Sequence, residues 1–172
     1  MIQNVSLICA LARNHAIGVK NGLPWHIPKD FEHFKALTLG KPVVMGRLTY
    51  DSILAIRKGK PLPNRPHYVI SRSPLDNLPE SVTHAPSLET AISAARADYP
   101  DAEIMIIGGA SIYQQAIPLV EKMYLTWIDR DIEGDAFFPH FPITEWSESD
   151  HQDFPDDPIP FRFVTYTRRK SV

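Results

Sequence analysis

Apolar, β-rich runs recur along this chain at Val5 to Ala12, Pro42 to Met45, His67 to Ser71 and Glu103 to Ile107, and segments with helical spacing follow or separate them. That alternation narrows the fold more than any other feature, because a strand that reaches its successor through a helix crosses over and lies parallel to it. Helices are expected at Lys29 to Thr38, Leu48 to Ile56, Ser87 to Ala97 and Ser111 to Ala116. The third is well signalled, with Ser87 as cap, Glu89 and Thr90 in the first turn and Tyr99-Pro100 as its stop. After Met123 the character changes to strand-like Met123 to Ile132, Trp146 to Phe154 and Phe161 to Arg169, with no helix between them. Consecutive strands without crossovers pair antiparallel. The expected fold is α/β: a single domain over residues 1–172, with a central mixed, mostly parallel sheet flanked by about four helices and a C-terminal antiparallel hairpin at one edge. The sixteen prolines gather at Pro61 to Pro66, Pro74 to Pro86 and Pro139 to Pro160, which marks stiff loops rather than a linker between domains.

A chain of 172 residues can bury a core around a small-molecule cleft. Its formal charge of -2 offers no general attraction for nucleic acid or an anionic membrane, and no apolar run is long enough to span a bilayer. The single cysteine, Cys9, cannot form an internal disulfide and reads as a buried thiol. The apolar N-terminal run lacks the basic start and cleavage pattern of a signal peptide, so a cytoplasmic protein is expected and the glycosylation pattern Asn4-Val5-Ser6 is chance.

Within Leu23-Pro24-Trp25-His26-Ile27-Pro28-Lys29-Asp30-Phe31-Glu32-His33-Phe34, one acid is out of place. On a helix turning about 100° per residue, Asp30 falls between Leu37 and Phe34 with Phe31 just beyond, while Glu32 takes the solvent face. An acid in a first turn can serve the helix dipole. Trp25 and two prolines, however, surround this one with rigid bulk suited to a partly dry pocket, where a carboxylate is a candidate for binding or proton handling. The histidines show no metal-ligand spacing, no metal is expected, and His26 and His33 read as surface residues.

Ligands of open α/β sheets collect where strands end, and three strand exits here share a chemistry. Val43-Val44-Met45 runs into Gly46-Arg47-Leu48-Thr49-Tyr50; Tyr68-Val69-Ile70 into Ser71-Arg72-Ser73; and Ile104 to Ile107 into Gly108-Gly109-Ala110-Ser111 ahead of Tyr113. A guanidinium beside a helix start suits a phosphate, and paired glycines let a backbone approach a ligand closely. Neither glycine turn is a Walker loop or a Gly-x-Gly-x-x-Gly cradle. Arg47 and Arg72 one connection apart suggest a ligand with several phosphates, and an Arg in place of a diol-binding acid favours NADP over NAD.

With these residues in hand, the sequence resembles dihydrofolate reductase of the bacterial chromosomal kind over nearly its whole length. The resemblance is carried by Ser6-Leu7-Ile8-Cys9-Ala10-Leu11-Ala12, Ile17-Gly18, Leu23-Pro24-Trp25, Pro28-Lys29-Asp30, Phe34-Lys35, Val44-Met45-Gly46-Arg47, Thr49-Tyr50, Ser52-Ile53, Pro61-Leu62-Pro63-Asn64-Arg65, Ile107-Gly108-Gly109, Ile112-Tyr113, Leu125-Thr126 and Glu133-Gly134-Asp135. It implies reduction of 7,8-dihydrofolate to tetrahydrofolate, with hydride from NADPH to pterin C6 and a water-borne proton to N5 near Trp25. It also implies a monomer with antifolate inhibitors among its ligands. By the same resemblance Asp30 holds the pterin 2-amino group and N3, and Thr126 joins both in one network. Ile8, Phe31 and Phe34 wall the pterin and aminobenzoyl rings; Arg65 pairs with the glutamate α-carboxylate, with Lys35 and Lys60 adding charge.

On the cofactor side the resemblance puts Ala10, Ile17 and Gly18 against the nicotinamide, with the ring of Tyr113. Arg47, Thr49, Ser71 and Arg72 take phosphates, with Gly46 at the helix start, and Gly108, Gly109, Ala110, Ser111 and Ile112 shape the pyrophosphate cradle. Residues Arg13 to Ile27 match a mobile loop over the active site. Two departures stand out: Leu48 replaces a polar or basic residue near the 2′-phosphate, and Leu54 to Lys60 is longer than the family's short connection. A pyrimidine reductase of riboflavin synthesis is the nearest rival and lacks the combination of Trp25, Asp30 and Arg65. A nucleotide-binding module without catalysis is the rival from another class.

Overall fold

The computed structural model describes residues 1–18 and 23–170. Its centre is β1 (Val5–Ala12), a run so apolar that it sits between two neighbours and two layers of side chains at once. The other strands in chain order are β2 (Ala16–Gly18), β3 (Val43–Gly46), β4 (His67–Ile70), β5 (Val82–Ala85), β6 (Ile104–Ile106), β7 (Lys122–Ile128), β8 (Ala136–Phe137), β9 (Trp146–Phe154) and β10 (Phe161–Arg168). The helices are α1 (Pro28–Thr38), α2 (Arg47–Ile56), α3 (Leu88–Asp98) and α4 (Ala110–Ala116). The main sheet runs β5-β4-β3-β6-β1-β7-β10-β9. All pairings from β5 to β7 are parallel, and β10 joins β7 and β9 antiparallel, so the hairpin expected at one edge is β9-β10.

Side chains along a strand alternate faces, and β1 sorts its residues accordingly. Leu7, Cys9 and Leu11 enter one core with residues of α3 and α4, such as Leu88 and Ile112, while Ile8 enters another with Val43, Met45 and Met105, against which Phe34 of α1 and Ile53 of α2 pack. Cys9 is a buried free thiol whose pKa burial pushes up, as the sequence reading expects. Ser87 caps α3 by accepting from Thr90 N at 3.2 Å. Among the described residues no helix is long and apolar enough to cross a membrane.

Four local expectations are corrected. The proline-rich stretch from Pro74 to Pro86 is not all loop, because Val82–Ala85 pairs parallel with β4 as a short edge strand. Its prolines fall outside the paired residues, where the lost N–H costs no ladder bond. The strand expected to run to Ile132 stops at Ile128, where Asp129 N turns to Pro160 O at 2.9 Å. A single 3-10 turn, Ile143–Glu145, precedes β9 where no helix was expected. A second, two-stranded sheet joins β2 to β8.

At the end of β6 remote from its glycine exit, one acid gathers three elements. Glu103 accepts from Ser6 Oγ of β1 at 2.6 Å, from Tyr124 OH of β7 at 2.8 Å and from Lys41 Nζ at 2.7 Å. Burial pushes this carboxyl up, but the three hydrogen bonds and the Lys41 charge outweigh it and hold it below the usual glutamate range. Glu103→Ala should cost about 1–3 kcal/mol at neutral pH, since it strands a partly buried ammonium and two hydroxyl donors. Urea unfolding measures this. A depressed acid contributes its stability above its unfolded pKa, so the gap between variant and wild type should close as pH falls through the lowered folded value.

Candidate active site

Helix α1 starts on Pro28, whose missing N–H is one the first turn cannot use anyway, and Ile27 precedes it without a side-chain cap. This start places Asp30 in the first turn opposite the middle of β7. There Thr126, 2% exposed, donates from Oγ1 to Asp30 Oδ1 at 2.7 Å. Burial raises the Asp30 pKa above the usual carboxylate range, and the Thr126 bond offsets part of that rise. The acid that helical spacing set in the apolar stripe is therefore half-buried and partnered by a hydroxyl, while Glu32 is exposed.

Trp25 lies in a small core with Ala12, Ala16, Ile27 and Phe161. Its Nε1 is buried with no hydrogen-bond partner among the described residues, a donor left for a water or a ligand. Ile8 is buried and Phe34 half-buried, but Phe31 is 47% exposed on the first turn of a helix, a position solvent does not favour for an aromatic. Leu62 and Ile53 pack against the same core as Phe34 and extend this apolar wall. Sequence reasoning did not single them out as lining residues, although both stand within motifs that carry the resemblance.

Arg65 is 4% exposed, donating from Nε to Thr38 Oγ1 at 2.8 Å and through its terminal nitrogens to Pro63 O at 2.6 Å and Lys35 O at 3.4 Å. Its guanidinium is thus pinned to the far end of α1 from Asp30, while Lys35 and Lys60 are exposed. His26 is exposed as expected. His33 is not a surface residue: it is half-buried, with its ring stacked on Phe163 at 3.7 Å, beside the Phe163–Thr126 pairing of β10 and β7. Burial lowers its pKa.

The three strand exits come together because β4, β3 and β6 are adjacent and parallel. Gly46 N donates to Gly108 O at 2.8 Å, which ties two of them. Gly108 has φ 118, open to glycine alone, and a Cβ there would meet the Tyr113 ring 3.1–3.2 Å away. The Gly108-Gly109 peptide is cis. A Cβ on Gly109 would meet Thr49 Oγ1 at 3.3 Å, so the bare backbone is what lets the start of α4 face that of α2. Neither start has a side-chain cap, which leaves N–H groups of Arg47–Thr49 and Gly109–Ile112 available to an anion. Ser111 is exposed, Ala110 half-buried and Ile112 buried.

Arg47 is exposed and 3.7 Å from Asp51, and Arg72 is exposed at the exit of β4. Ser71 points inward, donating from Oγ to Ser73 O at 2.8 Å, so its proton is committed to the turn. Tyr113 is buried, its hydroxyl donating to Ile8 O at 2.7 Å and its ring 5.2 Å from Phe138. Ala10 and Ile17 are half-buried, and Gly18 O accepts from Asp135 N at 3.0 Å. Of the loop expected at Arg13 to Ile27, residues 19–22 lie outside the described residues. The arrangement has two parts: a half-buried carboxyl in an apolar cleft on one side of β1, and two uncapped helix starts with cations on the other.

The family model described as dihydrofolate reductase matches residues 4–168. Dihydrofolate reductase type 3 of Salmonella typhimurium is 46% identical over 96% of this chain and 99% of its own length. The dihydrofolate reductase of Neisseria meningitidis serogroup A is 44% identical over 95% and 98%. Among solved structures, dihydrofolate reductase from Enterococcus faecalis complexed with NADP(H) and RAB-propyl superposes with a TM-score of 0.81 at 29% identity, covering 98% of this chain and 99% of that one.

Thr126→Val keeps the shape but removes the donor on Asp30. The Asp30 carboxyl should then titrate higher still, because the ionised form loses a hydrogen bond that burial makes valuable. A ¹³C NMR titration of the labelled side chain measures it, and an unmoved midpoint would show that the hydroxyl does not hold the ionised form.

Proposed function

The chain belongs to the dihydrofolate reductase family, and from that premise we propose that it reduces 7,8-dihydrofolate to 5,6,7,8-tetrahydrofolate with NADPH. The observation that carries the reading is the Asp30 carboxyl, half-buried on α1 and held by Thr126 through one oxygen. A carboxylate offers two in-plane acceptors, and the 2-amino group and N3 of a pterin form the matching planar donor pair. Asp30 binds that edge and Thr126 keeps the acceptor oxygens oriented. Ile8, Phe31 and Phe34 enclose the rings, which accounts for an exposed phenyl group on Phe31. Arg65, with its geometry fixed by Thr38 and Lys35, receives the glutamate α-carboxylate, and Lys35 and Lys60 add positive charge at the open end.

The uncapped starts of α2 and α4, the bare backbone at Gly109 and the guanidinium groups of Arg47 and Arg72 fit a pyridine dinucleotide bearing a 2′-phosphate. When bound, NADPH supplies the hydride that C6 of the pterin accepts. Thr49 lines the same cradle, and Ser71 joins it only by releasing the Ser73 carbonyl. Ala10, Ile17, Gly18 and the Tyr113 side of the Gly108 turn wall the nicotinamide end. The Trp25 Nε1–H orients the water from which N5 takes its proton, because Asp30 reaches the pterin edge rather than N5. The reading takes residues 1–172 as one domain acting as a cytoplasmic monomer, with antifolates competing at the pterin site.

Asp30→Asn should lower hydride transfer at neutral pH by roughly 10²- to 10⁴-fold, the span for a positioned acid-base group, with partial recovery in acid as solvent protonates the substrate. Pre-steady-state loss of NADPH absorbance across pH measures it, and an unchanged rate and profile would remove Asp30 from the mechanism. Arg72→Ala should weaken NADPH by roughly tenfold, the loss of one charged hydrogen bond, and NADH far less. Equal losses in a fluorescence titration would move the 2′-phosphate elsewhere.

A further inference from the structure

Two histidines hold the small β2–β8 sheet, and the activity gives neither of them a task. His15 stands at φ 70 in the turn between β1 and β2, where its N–H donates to Ala12 O at 2.8 Å. Its carbonyl accepts from Phe138 N at 2.7 Å, and its Nδ1 lies 3.1 Å from Phe138 O. A carbonyl oxygen only accepts, so Nδ1 carries the hydrogen and Nε2 is left to take a second proton. The ring meets Trp127 edge-on, with centroids 5.4 Å apart, and His140 at 4.2 Å with the planes tilted 30°. His15 is half-buried and His140 exposed.

The surroundings offer little to balance a charge on this pair. Arg13, the near neighbour in sequence, is engaged with Asp129 and Asp131 at 3.5 and 3.7 Å. β7 presents Trp127, whose Nε1 donates to Tyr166 OH of β10 at 3.1 Å. Beside the pair lies a cavity of about 690 Å³, to which α4 contributes Ser111 and Gln114 and β8 contributes Phe137, and the two imidazoles are the only ionisable groups lining it among the described residues. Burial lowers the His15 pKa most; the Phe138 carbonyl raises it, His140 lowers it and the Pro139 carbonyl raises it. Few other contacts hold β2. It pairs with β8 only at Ala16–Phe137 and Gly18–Ala136, and Asp135 N donates to Gly18 O at 3.0 Å.

We propose that His15 and His140 are positioning residues for the nicotinamide end of the cofactor site: stacked while uncharged, they clasp β2 to β8, and charging both rings opens the clasp. The inference rests on the reading of Ile17 and Gly18 of β2 as nicotinamide contacts. Two imidazolium rings at this separation repel each other, and the half-buried one has lost much of the water that would screen it. A histidine whose folded value is lowered contributes its stability above its ordinary value of 6.5, and that contribution is lost as pH falls from there through the lowered value.

The test has two arms on the full-length protein. Without ligand, the Phe138 amide that donates to His15 O should lose protection against hydrogen exchange, corrected for intrinsic rate, between about pH 7.5 and about pH 5.5. The loss should exceed that in His140→Phe, which keeps a ring and removes the charge, by roughly two- to fivefold, the span of one charge–charge contact near the surface. His140→Asp, which attracts an imidazolium, should gain protection in acid instead, and it makes the comparison with opposite sign should His140→Phe not fold. In the second arm, a fluorescence titration gives the ratio of the NADPH Kd at the lower pH to that at the higher. This ratio should be larger in the wild type than in His140→Phe by a similar factor, and comparing the two proteins cancels the titration of the cofactor's own phosphate. An amide response equal in the wild type and the variants overturns the clasp whatever the cofactor does. A response confined to the amide, with equal Kd ratios, overturns the positioning role. Absence of NADPH binding at either pH overturns the cofactor reading and the positioning role together.

Discussion

A carboxyl group in mostly apolar surroundings, with no cation beside it among the described residues, is costly in its ionised form, and here the hydroxyl of Thr126 is what offsets part of that cost. The bond spans two layers of the molecule, from the first turn of α1 to the middle of β7, and exists only if helix and sheet are held in one relative position. The packing of Phe34 and Leu37 against Ile8, Val43 and Met105 supplies that position. His33 stacked on Phe163 adds a second anchor on the strand that pairs with β7. The Asp30 side chain is thereby oriented by the core rather than by a loop.

The Asp30–Thr126 pair and the glycine exits lie on opposite flanks of β1. β1 is buried on both faces, with β6 on one flank and β7 on the other, so the glycine exit of β6 and the Thr126 position of β7 are one strand apart on each side of it. Both flank the second half of β1, where Ala10 pairs with Thr126. Tyr113 braces this junction from below, its hydroxyl on Ile8 O and its ring against the site where Gly108 has no side chain.

The helices and most strands were legible because their signals are local. Ser87, the prolines at helix starts and stops and the alternation along β1 act within a few residues of where they stand. The misplaced acid was legible too, since a helix of known pitch fixes which residues share a stripe. β5 was missed because its four residues sit among prolines, and an edge strand takes its stability from a partner, β4, rather than from its own composition. His33 was misread as a surface group because nothing near it in sequence announces Phe163, which lies 130 positions on. The inward turn of Ser71 and the burial of Arg65 were equally hidden, since both depend on carbonyl groups whose direction is set by the fold.

The order of strands and helices, the acid on the apolar face of α1 and the three polar exits are properties of the sequence by itself, because periodicity and backbone preference act over short spans. Which exits lie side by side and which hydroxyl meets Asp30 were decided by tertiary structure alone. Those facts depend on contacts between residues far apart in the chain, and such contacts form only when burial of the two cores brings distant segments into one register.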